Sequence, residues 1–187
     1  GVLRAAHGSR RWDADSFVIA AGAWSGQLFR SLGVRLPLQA GKGYGFDMVG
    51  SHQVGERGLY LSEAKVAITP LGGRTRLAGT MAFGGLDESV DPRRAGGILT
   101  SARAYLSGWP EATTAQAWSG LRPMTPDGLP MIGLVPGFEN LVVATGHAMS
   151  GITLSPVTGS VVERVVMTGE APEEALPFDP RRFMKGQ

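Results

Sequence analysis

The sequence predicts a mixed α+β fold built around a largely antiparallel sheet, and three observations carry that expectation. Phe17-Val18-Ile19-Ala20-Ala21 is an apolar run without a polar interruption, and Gly22 follows it at once. Over residues 36–81 the pattern changes to short strands divided by glycines and polar turns. From Leu141 onward the chain returns to a strand, a glycine-bearing turn and a helix. Residues 14–21 and 141–144 are therefore expected close in space, with the antiparallel sheet between them in sequence.

Residues 2–6 form a first β-rich run, and His7-Gly8-Ser9-Arg10 separates it from residues 16–20. The second run reads as a strand covered on both faces, since a half-exposed strand would alternate. Gly22 allows a close backbone turn. Residues 24–32 read as a short helix with Trp24, Leu28 and Leu32 on one face and Gly33 as its stop. Residues 43–48, 58–61, 65–70 and 75–82 are the short strands, and Leu71-Gly72-Gly73-Arg74 is a hairpin turn between the last two. Residues 91–106 read as a helix. Pro92 suits its first turn and Ile98, Leu99, Ala102 and Leu106 give it an apolar side, while Gly96-Gly97 weaken it. Residues 141–144 form a buried strand. The last helix is expected from Ser155, or slightly earlier, to Met167, with Ser155 as cap, Pro156 at the first position and Gly169 as stop. Val157, Val161, Val162, Val165 and Val166 are assigned to its apolar face. Beyond Ala171, Pro172, Pro177 and Pro180 mark a surface tail.

A chain of 187 residues suits one domain, or a domain with part of another. With 43% hydrophobic and 18% charged residues the composition is that of an ordinary globular protein. A net charge of +2, with basic residues scattered apart from Arg10-Arg11, Arg93-Arg94 and Arg181-Arg182, argues against a nucleic-acid partner. The absence of cysteine excludes disulfides and a Cys-ligated metal. His7, His52 and His147 show no metal-ligand spacing. No apolar run approaches the length of a membrane span.

Two segments point to a ligand site. Gly120-Leu121-Arg122-Pro123-Met124-Thr125-Pro126-Asp127-Gly128-Leu129-Pro130-Met131-Ile132-Gly133 reads as an irregular segment of fixed path, stiffened by proline and opened by glycine. Arg122 within it offers a planar fork that matches a carboxylate, or else a structural ion pair with an aspartate such as Asp127. Thr145-Gly146-His147-Ala148-Met149-Ser150-Gly151-Ile152-Thr153-Leu154 reads as a turn and helix start, suited to an anionic or electron-rich ligand, or simply an ordinary turn. Tyr44 and Tyr60 offer a hydroxyl or a lid over a substrate, against plain strand packing. Met81 and Phe83 either wall a side-chain pocket or belong to the core.

These segments, in this order, resemble the C-terminal part of the flavoprotein family of D-amino-acid oxidases, D-amino-acid dehydrogenases and glycine oxidases. Ala14-Asp15-Ser16-Phe17-Val18-Ile19-Ala20-Ala21-Gly22-Ala23-Trp24-Ser25, then Leu36-Pro37-Leu38 and Gly41-Lys42-Gly43-Tyr44, are similar to further family segments. The resemblance implies FAD as cofactor, and the absence of cysteine excludes a cysteinyl-flavin bond in this segment. It assigns Arg122 to the substrate carboxylate, and Tyr60 and Tyr44 are the further catalytic candidates, for a hydroxyl or a lid. Ala20, Ala21, Gly22 and Trp24 would lie near the cofactor's phosphates and adenosine. Gly146, His147, Gly151, Ile152, Thr153 and Leu154 would contact the flavin, with His147 either lining its edge or hydrogen-bonding within its own turn. The family's N-terminal strand, G-x-G-x-x-G turn and helix have no counterpart, because Gly41-Lys42-Gly43 follows no apolar strand and opens no periodic helix.

The chain is therefore expected to be a C-terminal fragment whose partner is the missing N-terminal FAD-binding region, and to be catalytically silent alone. A shorter homologue or complete binding module is the alternative. Residues 1–35 are assigned to the remnant of the Rossmann-type FAD-binding domain, 36–120 to the amino-acid oxidase substrate-binding domain, and 121–187 to a returning segment with the flavin loop. The implied activity is oxidative deamination of small D-amino acids to 2-oxo acids by hydride transfer. The implied location is cytoplasmic, at the inner membrane face if a quinone is the acceptor. A secondary-amine oxidase acting on glycine, sarcosine or proline, and a non-catalytic binding or assembly subunit, are the rival readings.

Overall fold

The computed structural model describes residues 1–49, 56–106 and 115–183. Along the chain lie β1 (Ala5–His7), β2 (Arg11–Asp13), β3 (Phe17–Ile19), α1 (Ser25–Ser31), β4 (Gln39–Val49), β5 (Leu59–Leu61), β6 (Val66–Leu71), β7 (Arg74–Phe83) and α2 (Pro92–Tyr105). There follow β8 (Ala117–Met124), β9 (Met131–Leu134), β10 (Leu141–Thr145) and α3 (Gly151–Thr168). Among the described residues, 3-10 helices occupy Gly22–Trp24, Glu173–Phe178 and Pro180–Phe183. The chain falls into two compact units, Gly1–Ala40 with Arg122–Gln187, and Gly41–Leu121. It passes from the first to the second within β4 and returns around the middle of β8.

In the first unit, β3 pairs in parallel with β10, Phe17 opposite Leu141, as the two apolar runs led us to expect. On its other edge β10 pairs antiparallel with β9. Alternation along β10 sends Leu141 and Val143 to one face, with Phe29, Leu36, Met131 and Val135. Val142 goes to the other, with Ile132, Val161, Val165 and Ala175. β3 is the edge strand, so its residues are only partly covered and Val18 is 44% exposed; the expected burial on both faces does not hold. β1 and β2 form a small exposed hairpin that leaves β3 outside it.

α1 ends as Gly33 implied. Gly33, at φ +76°, donates its N–H to Arg30 O, and Val34 donates to Phe29 O, which closes a Schellman motif. Its buried face is Ser25, Gly26 and Phe29; of the expected face, Trp24 and Leu28 are exposed, while Leu32 packs partly buried against the Phe29 cluster. Phe29 is fully buried, so it sets the rotation of the helix.

α3 begins at Gly151, a full turn before Ser155. Pro156 sits inside the helix and cannot donate to the Ile152 carbonyl, but the Ser155 hydroxyl donates there instead at 2.8 Å. Only Val161 and Val165 are buried; Val157 and Val166 are exposed. The expected surface tail is folded. Pro180 is fully buried, and its Cδ lies 3.2 Å from where a Cβ on Gly133 would stand.

In the second unit the sheet order is β5-β6-β7-β4-β8, with antiparallel pairing along β5-β6, β6-β7 and β7-β4. Gly72 and Gly73, at φ +48° and +81°, make the hairpin turn between β6 and β7. Asp91 caps α2, accepting the Arg93 N–H at 2.9 Å, and Pro92 opens the helix. Ala95, Ile98 and Ala102 of α2 pack on Tyr44, Phe46, Met48, Val66, Ile68 and Leu77. Residues 120–124, the start of the segment read from the sequence as irregular, belong to strand β8. β8 lies at the sheet edge, where a missing N–H at Pro123 does no harm to a ladder.

Candidate functional site

The first unit draws three of the sequence motifs together. Thr145, at the end of β10, donates its hydroxyl to Gly22 O at 3.0 Å, which ties the Ala21-Gly22 turn to the segment entering α3. Gly22 takes φ +53°. Ala148 donates its N–H to Pro123 O at 3.0 Å, joining the same segment to the residue beside Arg122. Gly146 takes φ +82°, and a Cβ there would meet Thr125 Cγ2 at 2.7 Å, so the turn packs directly on the strand exit. Ala148, a non-glycine residue, is held at φ +50°. Such backbone strain persists only where surrounding contacts fix it, and it concentrates at ligand sites.

α3 opens from this turn. Among the described residues no side chain caps its N-terminus, and its first turn carries no acidic residue. The N–H groups there, with the positive end of the helix dipole, present a surface for negative charge. Met149 and Ile152 flank it at 74% and 91% exposure. Thr153 is exposed, while Gly151 and Leu154 are half-buried. Donors with these exposed apolar neighbours suit an anionic or electron-rich ligand.

His147 turns inward, its Nε2 3.0 Å from Thr158 Oγ1 two turns into α3. Burial pushes its pKa below the ordinary 6.5, so the ring is neutral at neutral pH. That hydrogen bond reaches into α3 rather than staying within the turn of His147 itself. Arg122 is half-buried on β8, and burial lowers its pKa, though a guanidinium remains charged at any working pH. Asp127 is engaged elsewhere: Arg182 Nε donates to its Oδ2 at 2.7 Å and Nη2 to its Oδ1 at 3.2 Å. Trp24 is partly exposed beside the buried Ala23.

The second unit separates the two tyrosines. Tyr44 is 1% exposed and lies in the core under α2, so it is no substrate lid. Alternation along β4 puts it with Phe46 and Met48. Tyr60 is 62% exposed and pairs with Ala67, which pairs with Ala78, which pairs with Gly45. This row lies on the face opposite α2, floored by small residues. The register shift between Lys42 and Tyr44, with Thr80 at φ +69°, is a β-bulge on β7. It moves Met81 and Phe83 to that same face, and neither belongs to the core.

Further members of this face went unnoticed in the sequence. A Cβ on Gly45 would collide with the Trp118 ring, the Arg76 guanidinium lies 5.0 Å from the ring centroid, and Arg76 forks onto Asp47 at 2.7 and 2.8 Å. Arg76 holds the Asp47 carboxyl below the usual range. Lys42, on the α2 side, is buried and pairs with Asp87 at 2.7 Å, which anchors the loop before α2. His52 lies outside the described residues. Among the described residues no cluster suits a metal ion, and no helix is long and apolar enough to cross a membrane.

The family model for FAD-dependent oxidoreductases of the DAO type matches residues 1–164. The chain belongs to this family. A D-amino acid dehydrogenase of Vibrio cholerae is 34% identical over 174 residues, covering 92% of this chain and 41% of that protein. One from Paramagnetospirillum magneticum is 37% identical over 155 residues, covering 82% of this chain and 36% of that protein. The crystal structure of glycine oxidase from Geobacillus kaustophilus superposes with a TM-score of 0.84 at 30% identity, covering 93% of this chain and 47% of that one. The family chain thus spans about two fifths of the length of these dehydrogenases, and its mixed, largely antiparallel architecture is that of its structural relatives.

Proposed function

We propose that this DAO-family chain forms part of an FAD-dependent oxidoreductase that oxidises the Cα–N bond of a small D-amino acid to an imino acid, which water hydrolyses to the 2-oxo acid. One observation carries the reading: the Ala148–Pro123 hydrogen bond binds the uncapped start of α3 to the strand that presents Arg122. When bound, FAD supplies the hydride acceptor. Gly146, Gly151, Ile152, Thr153 and Leu154 are the residues proposed to hold its flavin, with Ala21, Gly22 and Trp24 toward its other end. The N–H groups at the start of α3 stabilise negative charge on a ligand placed there. Arg122 pairs with the substrate carboxylate and fixes orientation as well as position. Its partial burial strengthens that pair by lowering the local dielectric.

The likeness to glycine oxidase, and to an iminodiacetate oxidase from Chelativorans at a TM-score of 0.80 and 27% identity, favours a second reading in which the substrate is glycine or a secondary amine. Anaerobic mixing of the flavin-loaded enzyme with D-alanine, glycine and sarcosine separates the two. Bleaching of flavin absorbance by D-alanine at the lowest concentration supports the first reading. Bleaching by glycine and sarcosine alone supports the second, and none by any amino acid defeats both.

A further inference from the structure

The C-terminal residues converge on the turn that follows Arg122. Arg182 Nε and Nη2 fork onto the Asp127 carboxylate, Nη2 also donates to Leu129 O at 2.9 Å, and Nη1 donates to Asp179 O at 3.2 Å. The guanidinium stacks on Phe183 at 4.2 Å from the ring centroid, which holds the fork flat. Asp127 Oδ1 in turn accepts the Leu129 N–H at 3.0 Å, and Leu129 O accepts the Thr125 hydroxyl at 2.8 Å. Thr125 is the residue whose methyl fills the space over Gly146. Residues 125–129 are thus closed by one guanidinium, and their inner surface is the seat of the turn that opens α3.

We propose that Arg182 is a positioning residue, which clamps residues 125–129 and through Thr125 sets the turn at residues 146–150. The inference rests on the assignment of that turn to the flavin and of Arg122 to the substrate. Charge-assisted, forked hydrogen bonds resist displacement in both distance and angle, as a lysine would not. The side chains of Arg182 and Asp127 keep 19% and 34% exposure, so water screens the pair only partly. Pro180, seated against Gly133 on β9, fixes the segment from which Arg182 reaches.

Backbone amide exchange on the whole polypeptide tests this with Arg182→Gln, Asp127→Asn, their double variant and Arg182→Lys. The expected result is exchange at Leu129 and Ala148 faster by about tenfold in either single variant, the loss of a charged hydrogen bond. The double variant should be no worse than the singles, the signature of one shared interaction. Lysine should restore less than half of the protection, and amides of β6 should not change. The visible spectrum of bound flavin should shift in the same variants. Unchanged exchange at Ala148 overturns the proposal. If Arg182→Gln loses protection throughout, Asp127→Asn, which keeps an acceptor for the Leu129 N–H, decides alone on the same criterion. Acetate titration of Arg122→Ala distinguishes the underlying assignment. If that variant binds acetate as wild type does, Arg122 is not the carboxylate partner, while faster exchange at Ala148 still supports the clamp.

Discussion

Replacing Gly146 with alanine probes the junction on which the site depends. Two costs arise there. Gly146 sits at φ +82°, where an L-residue with a Cβ costs about 1–2 kcal/mol. The new methyl would also stand 2.7 Å from Thr125 Cγ2 and 3.4 Å from Met131 N, and overpacking of this kind costs about 1–3 kcal/mol. A stiffer unfolded chain returns about 0.4–1 kcal/mol. The net loss should be about 2–4 kcal/mol. Gly169 supplies the control: it has φ +77° but nothing within 4 Å of its would-be Cβ, so Gly169→Ala should cost only about 1 kcal/mol. Thr125→Ser removes the clashing methyl and keeps the hydroxyl for Leu129 O, so it should recover part of the Gly146→Ala loss. Urea unfolding followed by circular dichroism measures all four proteins. Equal costs at Gly146 and Gly169, or no recovery with Thr125→Ser, would refute the packing argument.

Two further outcomes follow from the electrostatics and the second unit. Arg182 holds the Asp127 carboxyl down at about 2 against an ordinary 3.8, so the folded state binds that proton less readily than the unfolded chain. The stabilisation is complete above about pH 4 and is lost as pH falls toward 2; stability measured across that window should decline less steeply in Asp127→Asn. Gly45→Ala should push Trp118 off its seat and away from Arg76, seen as a red shift in tryptophan emission, while an unshifted spectrum would mean that the ring is not packed on Gly45.

The parts of the fold legible in the sequence are those set by local chemistry. Apolar continuity marked β3 and β10, glycine pairs marked the β6–β7 turn, and Asp91-Pro92 marked the start of α2. Failures came where a partner element decided the outcome. Pro123 argued against a strand until β8 proved to lie at a sheet edge, where its missing donor is harmless. Pro156 argued for a helix start until the Ser155 hydroxyl took over its lost bond to Ile152. Tyr44 and Tyr60 look alike in sequence, and only strand register sends one under α2 and the other to the opposite face. A bulge at Thr80 likewise reverses the alternation that would have buried Met81. The C-terminal prolines read as exposed because nothing local reveals that Gly133 leaves room for Pro180. Of the candidate site, Arg122, Gly146 and Gly151 were recognisable by motif. Ala148, Thr125 and Arg182 were not, because their parts depend on contacts between distant segments.

The central claim is that Arg122 holds the substrate carboxylate in a flavin-dependent amino-acid oxidoreductase. The direct measurement is kcat/KM for a D-amino acid and for its carboxamide, in the flavin-loaded wild type and in Arg122→Ala. Loss of one partner of a desolvated charged pair costs about 2–5 kcal/mol, so efficiency toward the acid should fall about 30- to several-thousand-fold. Efficiency toward the carboxamide should barely change, so that the preference for the acid disappears, and flavin content should stay the same. A variant that keeps the wild-type preference for the acid would contradict the account, because the carboxylate would then be held by another group.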